Sequence, residues 1–508
     1  MKGEFMNTFM TAMKNEANFK RTENGAVAMK STMDKLYDLF ALGGAYRTRS
    51  ESDCVLLFQK AFEEDKTYAL KCLTYLRDIE EGQGERRFFR VCLRWLGQNY
   101  PEIVARNIRT WVDGNFIRWD DLFVLFGTGA EKAMVQVINS QLVEDMTNVQ
   151  TPKTAVSLCA KWMPSENTSS AKTRAIARRF IFALGLTPRE YRKMLSKLRE
   201  RINIVERLMS QDKWEEIDFS KLPSRAGLIY RNAFRTNEKT AERYREFAQS
   251  KETKVNAKTL YPYDVVTAAR RGFDGYDADD MDPTERQIVN KYWDNLTDYF
   301  NGASLDAMVV CDTSGSMTWT PAGGTTPIDV AISLALYTAE RAKGPFANHY
   351  ISFSRIARLV ETEGIDFCDK VSRIIRTDLC ENTNLESVFD LVLNTAIKND
   401  VDPDDMPKTL IIVSDMEVDC ATYGQCNQHF MDAMRQKWED KCGGWYDFPN
   451  IIYWNVNARH DTFIDDARTG VTFISGCSPV LYEQVLKGVS AKELMFDKLD
   501  SERYAEIH

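Results

Sequence analysis

The stretch MVVCDTSGSMTW, residues 308–319, decides how the second half of the chain is read. Its first four residues are an unbroken apolar run, the pattern of a strand buried on both faces. The next five, Asp312, Thr313, Ser314, Gly315 and Ser316, are unlike a core. Asp312, Ser314 and Ser316 are hard oxygen donors at a strand end, and Gly315 lets the loop turn back so that both hydroxyls converge. Asp415 closes a second apolar run, TLIIVSD, and Thr383 supplies a third hydroxyl in CENTNLES, just before a predicted helix. Three hydroxyls and two carboxylates around one point make a six-coordinate oxygen site. That set suits Mg2+ (or Mn2+), which tolerates few charged ligands and keeps several waters.

The runs AMVVC, HYISFS, TLIIVSD, NIIYWNV and VTFISG alternate with helical segments after residue 300. Strands alternating with helices predict a mostly parallel sheet covered on both faces, with ligands outside the carboxyl ends of its strands. Before residue 300 the period is helical. In LRDIEEGQGERRFFRVCLRWLGQNYP, the apolar positions Phe88, Val91, Cys92, Trp95 and Leu96 share one helix face. The segments AEKAMVQVINSQLVEDM, KTAVSLCAKWM, SSAKTRAIARRFIFALG and TPREYRKMLSKLRERINIVERLMS also read as amphipathic helices between Gly, Pro or Asn breaks. The chain is thus expected to be multidomain, α plus α/β. Residues 1–300 would form a HEAT-like helical array without a fixed sequence period, and residues 301–508 the α/β domain. FDGYDADDMDPTE, residues 273–285, fails calcium-loop spacing, because Tyr276 and Ala278 stand where ligands are needed; it reads as an exposed loop.

Charge is uneven over the 508 residues. The net is −8, yet residues 1–300 hold 48 Lys+Arg against 42 Asp+Glu, and residues 301–508 hold 18 against 32. Within the first part, residues 151–250 carry 21 basic and 11 acidic side chains. A basic region in an acidic chain is read either as a well-solvated helix surface or as a local polyanion site. No apolar run is long enough to span a bilayer, and the first residues show no secretion signal. The eleven cysteines are scattered and read as free thiols in a reducing cytoplasm. Cys420, Cys426, His429 and Cys442 lack the tight paired spacing of a zinc site and read as packing residues.

DTSGS, the threonine of NTNLES and the aspartate of VSDME resemble the metal-ion-dependent adhesion site of von Willebrand A domains. The resemblance implies that Ser314, Ser316 and Thr383 bind the ion directly and that Asp312 and Asp415 act mostly through water. It also implies one position left for a partner protein's carboxylate. Glu417, two residues past Asp415, reads either as a group supporting the ion's ligands from behind or as an exposed acid, with the second reading preferred. A helical array before such a domain resembles the Ro autoantigen family, in which a ring of helical repeats, the TROVE module, is closed by a von Willebrand A domain. LRDIEEGQGERRFF and GNFIRWDDLFVLFG, with Trp119, Asp120, Asp121 and Leu122, resemble that module. TENGAVAMKSTMDKLYDLF, KWMPSENTSS, EIDFSKLPSRA, IIYWNVNARH and FISGCSPVL resemble its plant, bacterial and phage branch.

The resemblance implies RNA, structured or single-stranded, as the polyanion. The basic face would comprise Lys172, Arg174, Arg178, Arg179, Arg189, Arg192, Lys193, Lys197 and Arg201. Spacings of four residues, as in Arg189–Lys193–Lys197, make a stripe on one helix face suited to tracking phosphates. The expected protein is a non-enzymatic, cytoplasmic RNA-binding protein with an Mg-dependent site for a protein partner. The alternative is a metal-dependent interaction scaffold without nucleic acid. Hydrolase readings fare worse: no G-x-S-x-G elbow is present, and an aspartyl phosphatase wants an aspartate where Ser314 stands.

Overall fold

A computed structural model describes the chain apart from residues 1–7, 152–153, 203, 274–276, 320–324, 378–381, 423–428, 465–470 and 486–489. The chain divides into two compact units, residues 1–50 with 257–498, and residues 51–256 with 499–508.

The first unit is built on a six-stranded mixed sheet. A short antiparallel hairpin precedes it, β1 (Phe19–Arg21) and β2 (Val27–Met29). The sheet comprises β3 (Ala307–Asp312), β4 (His349–Phe353), β5 (Ala357–Glu361), β6 (Thr409–Ser414), β7 (Asn450–Asn455) and β8 (Val471–Ser475). The spatial order is β5-β4-β3-β6-β7-β8, parallel throughout except for β5, which runs antiparallel to β4. Every residue of β3 is buried, and in β6 and β7 all but the first. Consecutive buried residues mean that both faces of these strands are covered, as the unbroken apolar runs predict. The helix Pro327–Arg341 packs on β3, β4 and β6.

The edge strand β8 is closed by a side chain. The buried Tyr37 hydroxyl donates to the Phe473 carbonyl and accepts from the Phe473 N–H, both at 3.0 Å. One hydroxyl therefore satisfies both backbone groups that an edge strand leaves open. Tyr37 lies on the helix Lys35–Gly43, whose N-cap Asp34 accepts the Tyr37 N–H. Gly44 follows closely against the backbone of Ser475, where an added Cβ would stand 2.6 Å from the Ser475 oxygen.

The second unit is helical. Helices Glu51–Glu64, Lys66–Arg77, Arg86–Asn99, Pro101–Asp113 and Glu131–Asn148 each pack on sequence neighbours, and Ser224–Thr236 pairs with Ala241–Gln249. The last residues of the chain return to this unit. Arg503 pairs with the buried Asp78, the Tyr504 hydroxyl donates to Asp78 at 3.0 Å, and the His508 N–H donates to Asn107 at 2.9 Å.

The compact units do not coincide with the division expected at residue 300. Helices Pro262–Gly272 and Pro283–Asp294 belong to the sheet unit. Thr267 donates to Asp329 at 3.0 Å and Arg270 pairs with the same carboxylate. Arg286 pairs with Asp366 at 2.8 Å, and Trp293 stacks on Phe367 with centroids 4.1 Å apart. A helical period identifies these helices, but their partners lie beyond residue 300. KTAVSLCAKWM also differs from expectation, with helix only over Cys159–Trp162. Ser157 is held by Asp145, which accepts its N–H at 2.9 Å and its hydroxyl at 2.6 Å, so the chain before it follows Asp145 rather than a helix.

Replacing Tyr37 with Phe keeps the ring and strands both Phe473 backbone groups. The expected loss is on the order of 1–3 kcal/mol, read as a lowered midpoint in thermal or urea unfolding. An unchanged midpoint would show that the edge of β8 does not depend on this hydroxyl.

Candidate metal centre and basic face

Adjacent parallel strands place their carboxyl ends side by side. β3 pairs with β6 from Ala307–Thr409 to Cys311–Val413, so Asp312 at the end of β3 and Asp415 just past β6 come together. Both side chains are buried. Asp312 accepts the Ser314 N–H at 2.9 Å and the Ser414 hydroxyl at 2.5 Å. The hydroxyls of Ser314 and Ser316 stand 3.2 Å apart, and the Ser316 hydroxyl lies near enough to Asp415 to favour its charged form. Gly315 opens a 3-10 turn, Gly315–Thr318, so the loop turns without a left-handed glycine. The left-handed residue is Met416, φ 66°, buried between Asp415 and Glu417. A non-glycine residue in that conformation costs on the order of 1 kcal/mol or more and is found where a site constrains the backbone.

Thr383 is buried at the same end of the sheet. Its carbonyl accepts the Asp419 N–H at 3.0 Å, and the Asn384 N–H donates to Ser354 just past β4 at 2.8 Å. The structure thus joins Asp312, Ser314, Ser316 and Asp415 through side chains, and ties Thr383 to the Asp415 turn through its backbone.

Two buried carboxylates side by side repel. Burial and the Asp415 charge push Asp312 up to about 7. Burial also raises Asp415, against the opposing charge of Arg459. One oxygen of Asp415, Oδ2, is buried with no hydrogen-bond partner among the described residues. Arg459 Nε approaches it to 3.3 Å without hydrogen-bond alignment. A desolvated carboxylate oxygen without a donor, beside converging hydroxyls, fits the coordination sphere of a hydrated Mg2+.

Glu417, and residues such as Glu23 that the sequence does not connect to it, complete the surroundings. Glu417 is buried, not exposed: its Oε1 faces His460 Nδ1 at 2.8 Å and its Oε2 accepts the Glu23 N–H at 2.6 Å. Glu23 belongs to the hairpin turn and pairs with Arg459. Asn24 donates to the Glu417 carbonyl at 2.7 Å and Thr22 to the Val418 carbonyl at 2.8 Å. Ligand atoms of Glu23, Glu417 and His460 lie within 4.8 Å of one another. The signal was present in TENG and NARH, but nothing in the sequence brings residue 23 to residue 460. Of the cysteine–histidine set, Cys426 lies outside the described residues, Cys442 packs against the Tyr446 carbonyl, and His429 stacks on Phe19. No described cysteine is in a disulfide, and no described helix is long and apolar enough to cross a membrane.

The basic residues lie on helices Ala171–Ala183 and Pro188–Ile202 of the helical unit. Some are engaged. Arg179 pairs with Glu131 at 3.1 Å and covers the Phe126 ring, and Arg192 pairs with Glu166. Arg174 donates to the carbonyls of Thr168 and Ser169, and Arg201 to those of Thr151 and Thr154. Lys172, Arg178, Arg189, Lys193 and Lys197 are exposed, with no hydrogen bond or ion pair to any described residue. Arg189, Lys193 and Lys197 follow one another at four-residue steps along one helix face. Phe182, one turn past Arg178, is 89% exposed.

Comparison with known proteins gives relatives over both parts of the chain. Residues 22–122 and 132–303 match the family model for a domain of unknown function, DUF2828, and residues 306–506 match a second, DUF7788. The Uncharacterized protein L728 of Acanthamoeba polyphaga mimivirus is 30% identical over 92% of this chain and 85% of that protein. Among solved structures, the Deinococcus radiodurans RO (RSR) protein aligns with 92% of this chain and 99% of its own, at 14% identity and a TM-score of 0.36. On the strength of the model that matches more than half of its residues, the chain belongs to the DUF2828 family.

Proposed function

We propose that this chain is a non-enzymatic RNA-binding protein whose helical unit holds RNA by its phosphates. One observation carries the reading: the exposed row Arg189, Lys193 and Lys197 makes no ion pair with any described residue, so its charge is available to a polyanion. Phe182 beside Arg178 and Arg179 adds a stacking surface, which single-stranded RNA uses without demanding a sequence. The sheet unit would contribute a divalent-cation site of Asp312, Ser314, Ser316, Thr383 and Asp415. Bound there, Mg2+ or Mn2+ would offer an open coordination position to a carboxylate of a protein partner. The chain's own residues hold the hydroxyls in place, exclude bulk water from Asp312, and orient Asp415 through the Met416 turn.

The unpartnered oxygen of Asp415 specifically favours a second reading, a metal-dependent interaction scaffold in which the helical unit takes no RNA. The two readings separate by what each set of residues controls.

Fluorescence anisotropy with labelled single-stranded RNA between 50 and 200 mM salt tests the first. The triple variant Arg189→Gln, Lys193→Gln, Lys197→Gln should bind more weakly and flatten the log–log salt slope by roughly 0.7 per lost phosphate contact. An unchanged slope would remove these residues from the interface. For the metal centre, Asp312→Asn deletes one of two buried like charges. Chelated Asp312→Asn protein should unfold at a higher temperature than chelated wild type. Mg2+ should then stabilise wild type, by about 2.7 kcal/mol at a hundredfold excess over Kd, and the variant much less. A wild type indifferent to Mg2+ and Mn2+ would refute the site.

A further inference from the structure

Two segments that carry the family likeness but no assigned chemistry, GQGERRFF and FIRWDD, meet inside the helical unit. Arg77 Nε and a terminal nitrogen reach Asp121 Oδ2 at 2.9 and 2.6 Å. Arg90 bridges Asp121 at 2.6 Å and Asp120 at 2.7 Å. Arg118 takes Asp120 with two nitrogens, at 3.0 and 2.9 Å, and its guanidinium lies 3.9 Å from the Trp162 ring centroid. The charges of Arg77 and Arg90 overcome the burial of Asp121 and hold its carboxyl below the usual range.

Arg86 is the member left over. It lies within electrostatic reach of Arg118, Asp121, Arg77 and Arg90, yet it makes no hydrogen bond or ion pair with any described residue, and its Nε is buried. Other arginines that leave Nε unbonded are anchored elsewhere: Arg49 holds Asp461 and Arg459 holds Glu23. Burial, with the Arg118 charge, pushes the Arg86 guanidinium down to about 10. Four arginines thus surround two aspartates. Glu85, whose carboxylate accepts the N–H groups of Arg87 and Phe88, and Lys161, 5.5 Å from the Trp162 ring centroid, add one charge of each sign and leave the surplus at two positive charges. Arg90 and Arg118 remain 28% and 27% exposed, so the cluster is open on one side.

We propose that Arg86 and Arg118, backed by Arg90 and flanked by Trp162, form a site for a phosphate monoester, such as the terminal phosphate of an RNA strand or free phosphate. The charge argues for a monoester over a backbone diester. A surplus of two positive charges matches a group carrying about −1.5 to −2 at pH 7, whereas each internal diester carries one. The planar fork of arginine suits phosphate oxygens. The phosphate site stands by itself; only its assignment to an RNA end rests on the RNA-binding reading.

The test uses the full chain and three probes: inorganic phosphate, a short single-stranded RNA with a 5′ or 3′ phosphate, and the same RNA with hydroxyl ends. Arg86→Gln is the diagnostic variant and Arg94→Gln, on the exposed side of the same helix, is the charge control. Because Arg86 holds no partner, Arg86→Gln should leave the unfolding temperature in phosphate-free buffer unchanged or higher. Inorganic phosphate should raise the unfolding temperature of wild type and of Arg94→Gln, but not of Arg86→Gln. Wild type should prefer phosphate-ended over hydroxyl-ended RNA by about 10- to 100-fold, the worth of one or two charged hydrogen bonds. Arg86→Gln should lose that preference while still binding hydroxyl-ended RNA. Stabilisation by phosphate with no preference among RNA ends, or with no RNA binding at all, would support the site and identify free phosphate as its ligand. Indifference of wild type to inorganic phosphate and to RNA end chemistry would overturn the proposal, whatever the Arg189–Lys197 row does. An Arg86→Gln protein destabilised equally in all buffers would assign Arg86 a structural role instead.

Discussion

The sheet unit turns on one constraint: Asp312 and Asp415 are buried beside each other at the ends of adjacent parallel strands. The strands cannot be moved apart, because β3 and β6 are the hydrogen-bonded centre of the sheet and are covered on both faces. Nor can the carboxylates escape to water, since both side chains are sealed. What remains is compensation, and the local chain is arranged to supply part of it. Ser414 and the Ser314 N–H each bond one oxygen of Asp312, while Asp415 Oδ2 has no hydrogen bond from a described residue and meets only the misaligned Arg459 Nε at 3.3 Å. The division of labour is uneven in a way that a plain structural pair would not need, and it leaves a place for a cation.

Arg459 shows how the rest of the unit accommodates that place. Its guanidinium faces Asp415 on one side and Glu23 on the other, and Glu23 also lends its N–H to Glu417. The hairpin turn is thereby fastened across the strand ends by charge and backbone together. The same N-terminal segment closes the far edge of the sheet through Tyr37. A piece of chain nearly three hundred residues before β3 thus finishes both the edge and the mouth of the sheet.

That distance explains what could be read from the sequence. The five parallel strands of the sheet, the loop DTSGS and the aspartate of VSD were legible as local patterns, an apolar run and then oxygen donors at its end, whereas the mostly exposed edge strand β5 carries no such run. The helical character of residues 51–256 was equally local. Residues 1–50 were not legible as part of the sheet unit. VAM is too short to declare a strand, and Tyr37 looks like any aromatic residue on a helix until Phe473 is beside it. Glu417 was misread for the same reason: an acid two residues after a strand is usually solvated, and only the arrival of His460 and the Glu23 backbone buries it. In the basic stretch, spacing identified the Arg189–Lys193–Lys197 row, but it could not foresee that Glu166 and Glu131 would claim Arg192 and Arg179.

Charges buried in this chain are mostly paired with care. Asp78 is held by Arg503 and Tyr504, Glu386 and Asp390 share Lys437, and Asp121 lies between Arg77 and Arg90. Such pairing is what low dielectric demands, because an unpaired desolvated charge costs more than a surface ion pair returns. Against that background the exceptions carry information. In the sheet unit the incompletely bonded group is the Asp415 carboxylate, which meets Arg459 without hydrogen-bond alignment, and in the helical unit it is the Arg86 guanidinium. Each has a like charge beside it, Asp312 beside Asp415 and Arg118 beside Arg86. Elsewhere the buried charges are met by aligned partners, and these two groups stand apart from that pattern. The economical physical account is that their partners arrive from outside the chain: a divalent cation for one, a phosphate for the other.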